Sequence, residues 1–592
     1  MSGARTTGSR PAAPLLGAPR RWVFRTGADP TSDSDAIAAL TAELRLPPAL
    51  CRLLLLRGHS RPESARTFLK PRLESLHDPL LLADAAVAVA RLSGAIARRE
   101  RILVHGDYDV DGICSAALFT RVLRSLGAEV EAFVPHRMSD GYDLGHAGVR
   151  RAAELGAGLI LTGDCGIVAH EAIAQAAAVG IDVIVTDHHT PGATLPAAVA
   201  VLNPNRADCS YPEKGLAGAG VAFKLCEALV AARGGDRDAL LWHLDLVALA
   251  TIADLAPLRG ENRVLAHFGL RVLRETRNPG LRALMAAAGV AADQPIGAGQ
   301  VSHGLAPRLN AVGRMGAASR GVRLLLADDT VEAEALAAEM ETENRTRQAV
   351  DREILDQALC MLEDSFDPER DYGIVLSAPH WHPGVIGIVA SRVVEHVHRP
   401  VILIAEDPES GRGRGSARSI IPFDLYSGVH ACAALLERYG GHRQAAGLEI
   451  HIERIAEFRR AFNEYARSVL QPDDLIPEVR VDIEIGLHEA NADLYRLMRH
   501  CGPFGMGNPQ PVFVVRGIGI DGVPRMVGSG QHLKFVLSQG TARLSAIGFG
   551  VTERWRSVIS RTPLDVAFQL QEDRWNGRAQ LQARIVDLRP AS

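Results

Sequence analysis

Apolar residues recur at helical spacing through residues 34–100, as in PPALCRLLLL at 47–56, and predict a helical N-terminal region. At residue 101 the pattern changes. Short apolar runs at 101–105 (RILVH), 129–135 (EVEAFVP), 159–163 (LILTG) and 182–187 (DVIVTD) predict strands. Between them, 113–126, 145–155 and 169–179 read as helices, the first stopped by Gly127. Strands alternating with helices of this length predict βαβ units and a parallel sheet. Residues 331–362 are rich in Glu, Ala and Arg, without Gly or Pro, and predict one long connecting helix. A second α/β unit begins near 370, with strands near 373–376 and 401–404. Residues 475–592 carry short alternating strands and Gly-rich turns, which predict a small β-barrel.

The 592 residues correspond to three or four domains at about 150 residues each. A chain 47% hydrophobic and 23% charged is globular rather than disordered. The net charge of -4 excludes a globally basic nucleic-acid binder but leaves room for a local basic groove. Nearly all the basic residues are Arg; the lysines are Lys70, Lys214, Lys224 and Lys534. Where Arg lines a site it grips phosphate bidentately. The eight cysteines form no C-x-x-C pair, which argues against a zinc ribbon and for reduced, cytosolic thiols. Residues 1–28 contain no acid, three prolines and no amphipathic pattern, so residues 1–40 read as a flexible tail. The uncharged window 373–391 is long enough for a membrane span, but its two His, Trp381 and two Pro argue against one.

Acidic and His residues follow the C-terminal ends of several predicted strands, where open parallel sheets bind ligands. In His105-Gly-Asp107-Tyr-Asp109-Val-Asp111-Gly112, three acids lie within five residues and repel unless a cation neutralises them. The D-x-D-G portion has a calcium-loop look without that loop's twelve-position pattern. Asp164 ends the run LILTGD, where a helix cap is the plain alternative. Asp187-His188-His189 ends DVIVTD, and adjacent histidines suit metal ligation and proton transfer. Asp254 follows the apolar run 246–252. Together, Asp109, Asp111, Asp164, His188 and Asp254, with His105 as a further candidate, are enough donors for two divalent ions sharing one carboxylate. Aspartate oxygens with histidine suit Mn²⁺ or Mg²⁺.

HGDYDVDG, GDCG, TDHHT and TIADLAPL resemble the motifs of the DHH phosphoesterase superfamily. VPHRMSDGYDLG (134–145), APRLNAVGRM (306–315), WHPGVIGIVASRVVE (381–395), GSARS (415–419), GGHRQAAG (440–447) and CGPFGMGNPQPVF (501–513) narrow the resemblance to the RecJ family of single-strand-specific exonucleases, from about residue 45 to the end. The resemblance implies an α/β protein: a flexible tail (1–40), a helical cap (41–100), a DHH catalytic lobe with a parallel sheet (101–330), a connector helix (331–365), a DHHA1 lobe (366–470) and an OB-fold barrel that guides the strand (471–592). It implies a cytoplasmic enzyme that degrades single-stranded DNA 5′→3′ to mononucleotides, using two Mn²⁺ or Mg²⁺ ions, in recombination and in repair, including mismatch repair. Implied partners are single-strand binding protein and a RecQ-type helicase, with no membrane.

Residue roles follow from the same resemblance. Asp109, Asp111, Asp164, His188 and Asp254 match metal ligands, with Asp164 as the bridge. His105 matches a ligand position of related DHH enzymes. His189 matches a histidine that contacts the scissile phosphate, and Asp107 supports the ligands. Arg137, Ser416 and Arg418 match 5′-phosphate contacts, a guanidinium and a hydroxyl being suited to an anionic terminus. Arg308, Asn310 and Arg314 lie in a motif expected to touch the DNA backbone, and His382, Gly440, Gly441 and His442 are expected to face the cleft. In the barrel, Phe504, Phe513, His532, Lys534 and Trp575 are candidates for base contact. The chain departs from the family pattern at Asp143, where relatives more often have Gly. Two other functions fit parts of this pattern: a phosphodiesterase for short oligonucleotides or cyclic dinucleotides, and a non-catalytic scaffold. The first predicts no barrel and the second predicts lost metal ligands.

Overall fold

Every residue of the strands Ile102–Gly106 (β1) and Leu159–Gly163 (β3) is buried, as a parallel sheet covered on both faces requires. In the computed structural model, these strands pair with Val130–Phe133 (β2), Asp182–Thr186 (β4) and Ala200–Leu202 (β5) in the order β2-β1-β3-β4-β5, all parallel. The structure describes residues 20–25 and 30–591, except 137–139, 142, 292–293, 316–317, 529, 552 and 576–577. On one face Ile102 and Val104 join a large core with the helices Val110–Ser125 (α1), Gly218–Ala232 (α4) and Leu244–Ala253 (α5). On the other, Leu103 packs with His146–Leu155 (α2) and His170–Ala178 (α3). The order reverses between β1 and β3, which opens a crevice beyond their carboxyl ends.

The chain divides into two units, one comprising residues 63–346 and 498–510 and the other the remainder. The first carries the parallel sheet. The helix Thr330–Ser365 begins in the first unit and ends in the second, as its Gly- and Pro-free sequence predicts.

Besides a two-stranded pair, the second unit holds two larger sheets. In one, Ile374–Pro379 (β6), Val401–Asp407 (β7), Arg412–Arg418 (β8), Arg438–Gly441 (β9) and Ala445–His451 (β10) run in the order β9-β10-β8-β7-β6. Only β6 and β7 are parallel. The other has six strands, five of which close into a barrel because Phe513–Val527 pairs with both His532–Gln539 and Leu564–Trp575. Phe513 and Phe568, with rings 6.0 Å apart, fill its interior. The α/β architecture with a terminal barrel is the fold class expected from the sequence.

The N-terminal region departs from expectation. Residues 1–40 are not all tail. Arg21–Phe24 is a strand parallel to Glu478–Val481, and a helix spans Pro30–Leu44. Trp22 and Phe24 pack on Val479, Val481 and Val514, and Trp22 Nε1 donates to Asp587 Oδ2 at 2.8 Å under the Arg589 guanidinium. The apolar pair in RWVF is the cue; its partner lies more than 450 residues away, beyond any local pattern. The helical cap is also split: residues up to Pro62 belong with the barrel-bearing unit and those from Glu63 with the parallel sheet. Among the described residues no single helix is long and apolar enough to cross a membrane.

If this strand is part of the barrel's core, Trp22→Ala should lower the barrel's stability by about 2 kcal/mol, a half-buried aromatic costing less than a fully buried one. Calorimetry of the full chain should show a lower melting temperature for the transition containing the barrel. An unchanged profile would mean that the N-terminal strand is dispensable to it.

Candidate active site

The turn after β1 is held tightly by backbone amides. Asp109 Oδ1 accepts from the N–H groups of Asp111 (3.0 Å) and Gly112 (3.2 Å), capping α1. A Cβ at Gly112 would come within 2.3 Å of the Asp107 backbone, so the turn needs glycine there. Asp111, in the first turn of α1, is buried and accepts from Gly218 N–H and Ala219 N–H, each at 2.7 Å, at the start of α4. Those two donors escaped the sequence reading. A Cβ on Gly218 would lie 2.6 Å from Asp164 Oδ1, which explains a glycine at that point.

Asp164, after β3, and His188, after β4, meet across the crevice. His188 Nε2 lies 3.1 Å from Asp164 Oδ1, 3.7 Å from Asp254 Oδ2 and 3.9 Å from Asp111 Oδ2. Asp254 caps the C-terminal end of α5. Asn205 Nδ2 donates to the His188 carbonyl (2.6 Å) and Asn203 Nδ2 to that of His189 (2.9 Å), fixing the two-histidine segment. The cue, NPN directly after β5, passed unread. Asp187 accepts from His189 Nδ1 (2.7 Å) and from the backbone N–H groups of Ile167 (3.0 Å), His188 (2.7 Å) and His189 (3.0 Å).

These side chains form three donor groups, each with atoms within 4.8 Å of one another: Asp111, His188 and Asp254; Asp107, Asp109 and Asp164; and Asp164, His188 and His189. Asp107 thus stands among the candidate donors, where only a supporting role was expected of it. Asp107 Oδ1, Asp164 Oδ1 and His188 Nε2 are buried without a hydrogen-bond partner. Three orphaned polar atoms facing one crevice are costly unless a cation binds there. An Asp/His donor set fits Mn²⁺ or Mg²⁺.

Burial, then neighbouring carboxylates, pushes Asp111 and Asp164 well above the usual carboxylate range. The same causes take Asp107 to about 8 and Asp254 to about 7. Burial and the nearby His189 push His188 down to about 4. Burial also acts to lower His189, but the Asp187 hydrogen bond and charge overcome it and raise the group to about 9.

His105 does not join the donors. As the fourth residue of β1 its side chain points to the α2–α3 face, where the ring packs beside Phe133 and against Gly148, with Nδ1 3.6 Å from Cys165 Sγ. Burial pushes it down to about 4. The alternation of a strand therefore sets this ring apart from the three donor groups.

Arg137 and the side chains of Arg314 and Trp575 fall outside the described residues. Arg308 is committed to Glu341 (2.7 Å) and the Gly304 carbonyl (2.6 Å). Asn310 is half-buried on the helix Ala306–Met315, whose Gly313 sits against the Tyr108 carbonyl. That motif buttresses the Asp107–Asp109 turn.

In the second unit, Ser416 and Arg418 lie on one face of β8 beneath Gly387, with Arg418 Nη1 3.3 Å from Ser416 Oγ. Ser416 pairs with Gly447, which pairs with Gly440, so the strip beside the hydroxyl carries no side chains. His382 and His442 accept through Nδ1 from Gly384 and Gln444 N–H groups within their own turns, and Gly441 adopts φ +142°. On the barrel, His532 packs against exposed Phe549 (4.9 Å), with the Arg584 guanidinium 5.7 Å from the same ring. Phe549 and Arg584 were not anticipated. Lys534 pairs with Asp573, Phe513 is core, and Phe504 is half-buried in the first unit.

Three family models match: the DHH family N-terminal domain over residues 101–251, the DHHA1 domain over 371–468 and the RecJ OB domain over 481–587. The single-stranded-DNA-specific exonuclease RecJ of Dickeya dadantii is 38% identical over 570 residues, spanning 93% of this chain and 98% of that protein. The crystal structure of Thermus thermophilus RecJ with Mn²⁺ is similar with a TM-score of 0.81 and 34% identity, over 97% of this chain and 80% of that one. Its Mg²⁺ complex gives 0.76 and 32%, over 97% and 79%.

The raised carboxyl groups make a prediction about stability. The native chain holds these protons to higher pH than an unfolded chain, whose carboxyls ionise near 3.8. Unfolding then releases protons, so stability falls as pH rises through that interval. Below about pH 6.5 the buried neutral His105 and His188, which take up protons on unfolding, oppose this trend, so with chelator present the melting temperature should drop between about pH 6.5 and pH 8. Excess Mn²⁺, which takes the place of the protons, should flatten the drop. A pH profile indifferent to Mn²⁺ would mean that the cluster is no cation site.

Proposed function

Because the chain belongs to the RecJ family of single-stranded-DNA-specific exonucleases, we propose that it hydrolyses single-stranded DNA from the 5′ end, releasing 5′-mononucleotides with the help of two divalent cations. The observation that carries the reading is the donor set at the sheet's switch point, complete and with three buried atoms unpartnered. Asp111, His188 and Asp254 would hold one ion and Asp107, Asp109 and Asp164 the other, with Asp164 close enough to His188 to serve both. Bound there, Mn²⁺ or Mg²⁺ supplies a water of lowered pKa and neutralises charge on the phosphate.

The remaining chemistry belongs to the chain. His188, kept neutral by burial, offers a lone pair. His189, kept protonated through Asp187, is suited to donate a hydrogen bond to a phosphate oxygen and to follow developing charge on it. Asp187, accepting from Nδ1, sets the orientation of that ring. On the second unit, Ser416 and Arg418 beside a glycine strip suit a terminal phosphate, with a hydroxyl, a guanidinium and a surface that admits close approach. The exposed Phe549 with Arg584 and His532 offers a stacking surface for a base. Family membership supports a cytoplasmic role in recombination and repair, alongside single-strand binding protein and a RecQ-type helicase.

The match to the RecJ OB domain weighs against an enzyme confined to very short or cyclic oligonucleotides. The intact donor set weighs against a scaffold without activity.

The test is a long single strand labelled at its 5′ or 3′ end in separate reactions with Mn²⁺. The 5′ label should leave first, as mononucleotide, and a duplex control should persist. Asp164→Ala should lower turnover at least about a hundred-fold while the chain stays folded. Survival of long strands alongside cleavage of dinucleotides would favour the short-substrate reading. Affinity for an uncleaved strand should also fall linearly on a log–log plot against salt, as counterions released from phosphates require. A flat response would remove backbone contacts from the account.

A further inference from the structure

The turn that presents Asp164 is conformationally unfavourable. Asp164 adopts φ +67° and Gly166 φ +110°, both in the left-handed region. A Cβ at residue 166 would press on Thr162 Oγ1 and Val185 at 3.1 Å. Such a turn persists only where its surroundings hold it.

Most of the holding comes from the ends of β3 and β4. Thr162 Oγ1 donates to the Cys165 carbonyl (2.7 Å) and accepts from Thr186 N–H (3.1 Å). Thr186 Oγ1 donates to the Thr162 carbonyl (2.7 Å), and Asp164 N–H donates to that of Thr186 (3.0 Å). Asp187 secures Ile167 N–H. Between these, Gly166 N–H is taken by a residue from another segment: Asp143 Oδ1, at 2.6 Å. Asp143 is itself left-handed, at φ +74°, and the same oxygen accepts from Leu144 N–H at 2.8 Å, just before α2 begins. Aspartate is among the few residues with a side chain that enter this region readily.

We propose that Asp143 is a positioning residue for the metal centre. Its carboxylate ties the segment before α2 to the turn after β3 and sets where Asp164 points. Asp143 belongs to none of the donor groups, so its effect passes through Asp164. The proposal rests on reading the cluster as a divalent-cation site. In sequence, Asp143 stands only as a departure from the family pattern; in the structure its carboxylate is turned onto the backbone of the turn.

Two substitutions in the full chain separate positioning from a local turn preference. Asp143→Gly keeps the left-handed backbone and removes the acceptor. Asp143→Asn keeps both the backbone preference and a carbonyl acceptor while removing the charge. With Mn²⁺ binding followed by electron paramagnetic resonance, the glycine variant should bind about ten-fold more weakly, the lower end of what loss of a ligand-orienting partner costs. Its melting temperature in chelator should stay close to the parent's. The asparagine variant should recover most of the affinity. In the exonuclease assay the glycine variant should need more Mn²⁺ for half-maximal rate. Parent-like affinity in the glycine variant, or equal weakening in the asparagine variant, overturns the positioning role and leaves the proposed activity standing. A parent chain that binds no Mn²⁺ overturns both readings.

Discussion

Like charges repel most strongly where water is absent, and this fold places carboxylates together where water is scarce. Asp107, Asp111 and Asp164 are almost wholly buried, and Asp109 and Asp254 lie beside them. The fold tolerates this partly by setting backbone N–H dipoles against several of the acids around the crevice. Asp109 faces the start of α1, Asp111 the start of α4, and Asp187 three amides of neighbouring turns. Helix starts favour negative charge for the same reason that they bind anions. Asp107 and Asp164 are exceptions, each with a buried oxygen left without a partner. The backbone of Asp164 is pinned, yet its unpartnered oxygen faces His188. Backbone amides offset the charge of Asp109 and Asp111, and the unpartnered oxygens of Asp107 and Asp164 are left for a cation.

That arrangement explains which parts of the site could be read from sequence. Acids just beyond strand ends announce themselves, because a parallel sheet puts successive strand ends at one edge. Asp109, Asp111, Asp164 and His188 all follow this rule. Asp254 was harder, since it ends a helix rather than a strand, and only the apolar run before it marked an element's end. His105 shows where the rule fails. It lies inside β1 rather than beyond it, so the strand's alternation aims its ring at the α2–α3 face. Gly218 and Ala219 were invisible because they act through main-chain donors, which no side-chain motif reports.

The same division holds for the second unit. Its sheet and barrel follow from alternation and Gly-rich turns. The N-terminal strand does not, because its energetic reason, an indole covering the barrel beside Asp587 and Arg589, depends on residues at the far end of the chain. Arg308 makes a related point. An Arg in a family motif invites assignment to phosphate, yet here it closes an ion pair with Glu341 and helps hold the helix that supports Tyr108. A basic residue's role is set by whether an acid already satisfies it.

The adjacent histidines show how one dipeptide is given two protonation states. His188 and His189 start with the same intrinsic basicity, and their rings are 4.5 Å apart. Burial lowers both. His188 faces acids without a well-formed hydrogen bond to any, so burial and its neighbour's charge keep it neutral. His189 is bonded through Nδ1 to Asp187, whose carboxyl is held below its usual range despite burial by that imidazole and by backbone amides. The ion pair outweighs the desolvation, and His189 stays charged above neutrality. Each state reinforces the other, since a charged His189 makes a second charge on His188 more costly. A neutral imidazole can coordinate a cation and a charged one can meet an anion, which is what the proposed activity asks of the two rings. The division depends on Asp187, which is why the acid before the two histidines matters as much as either ring.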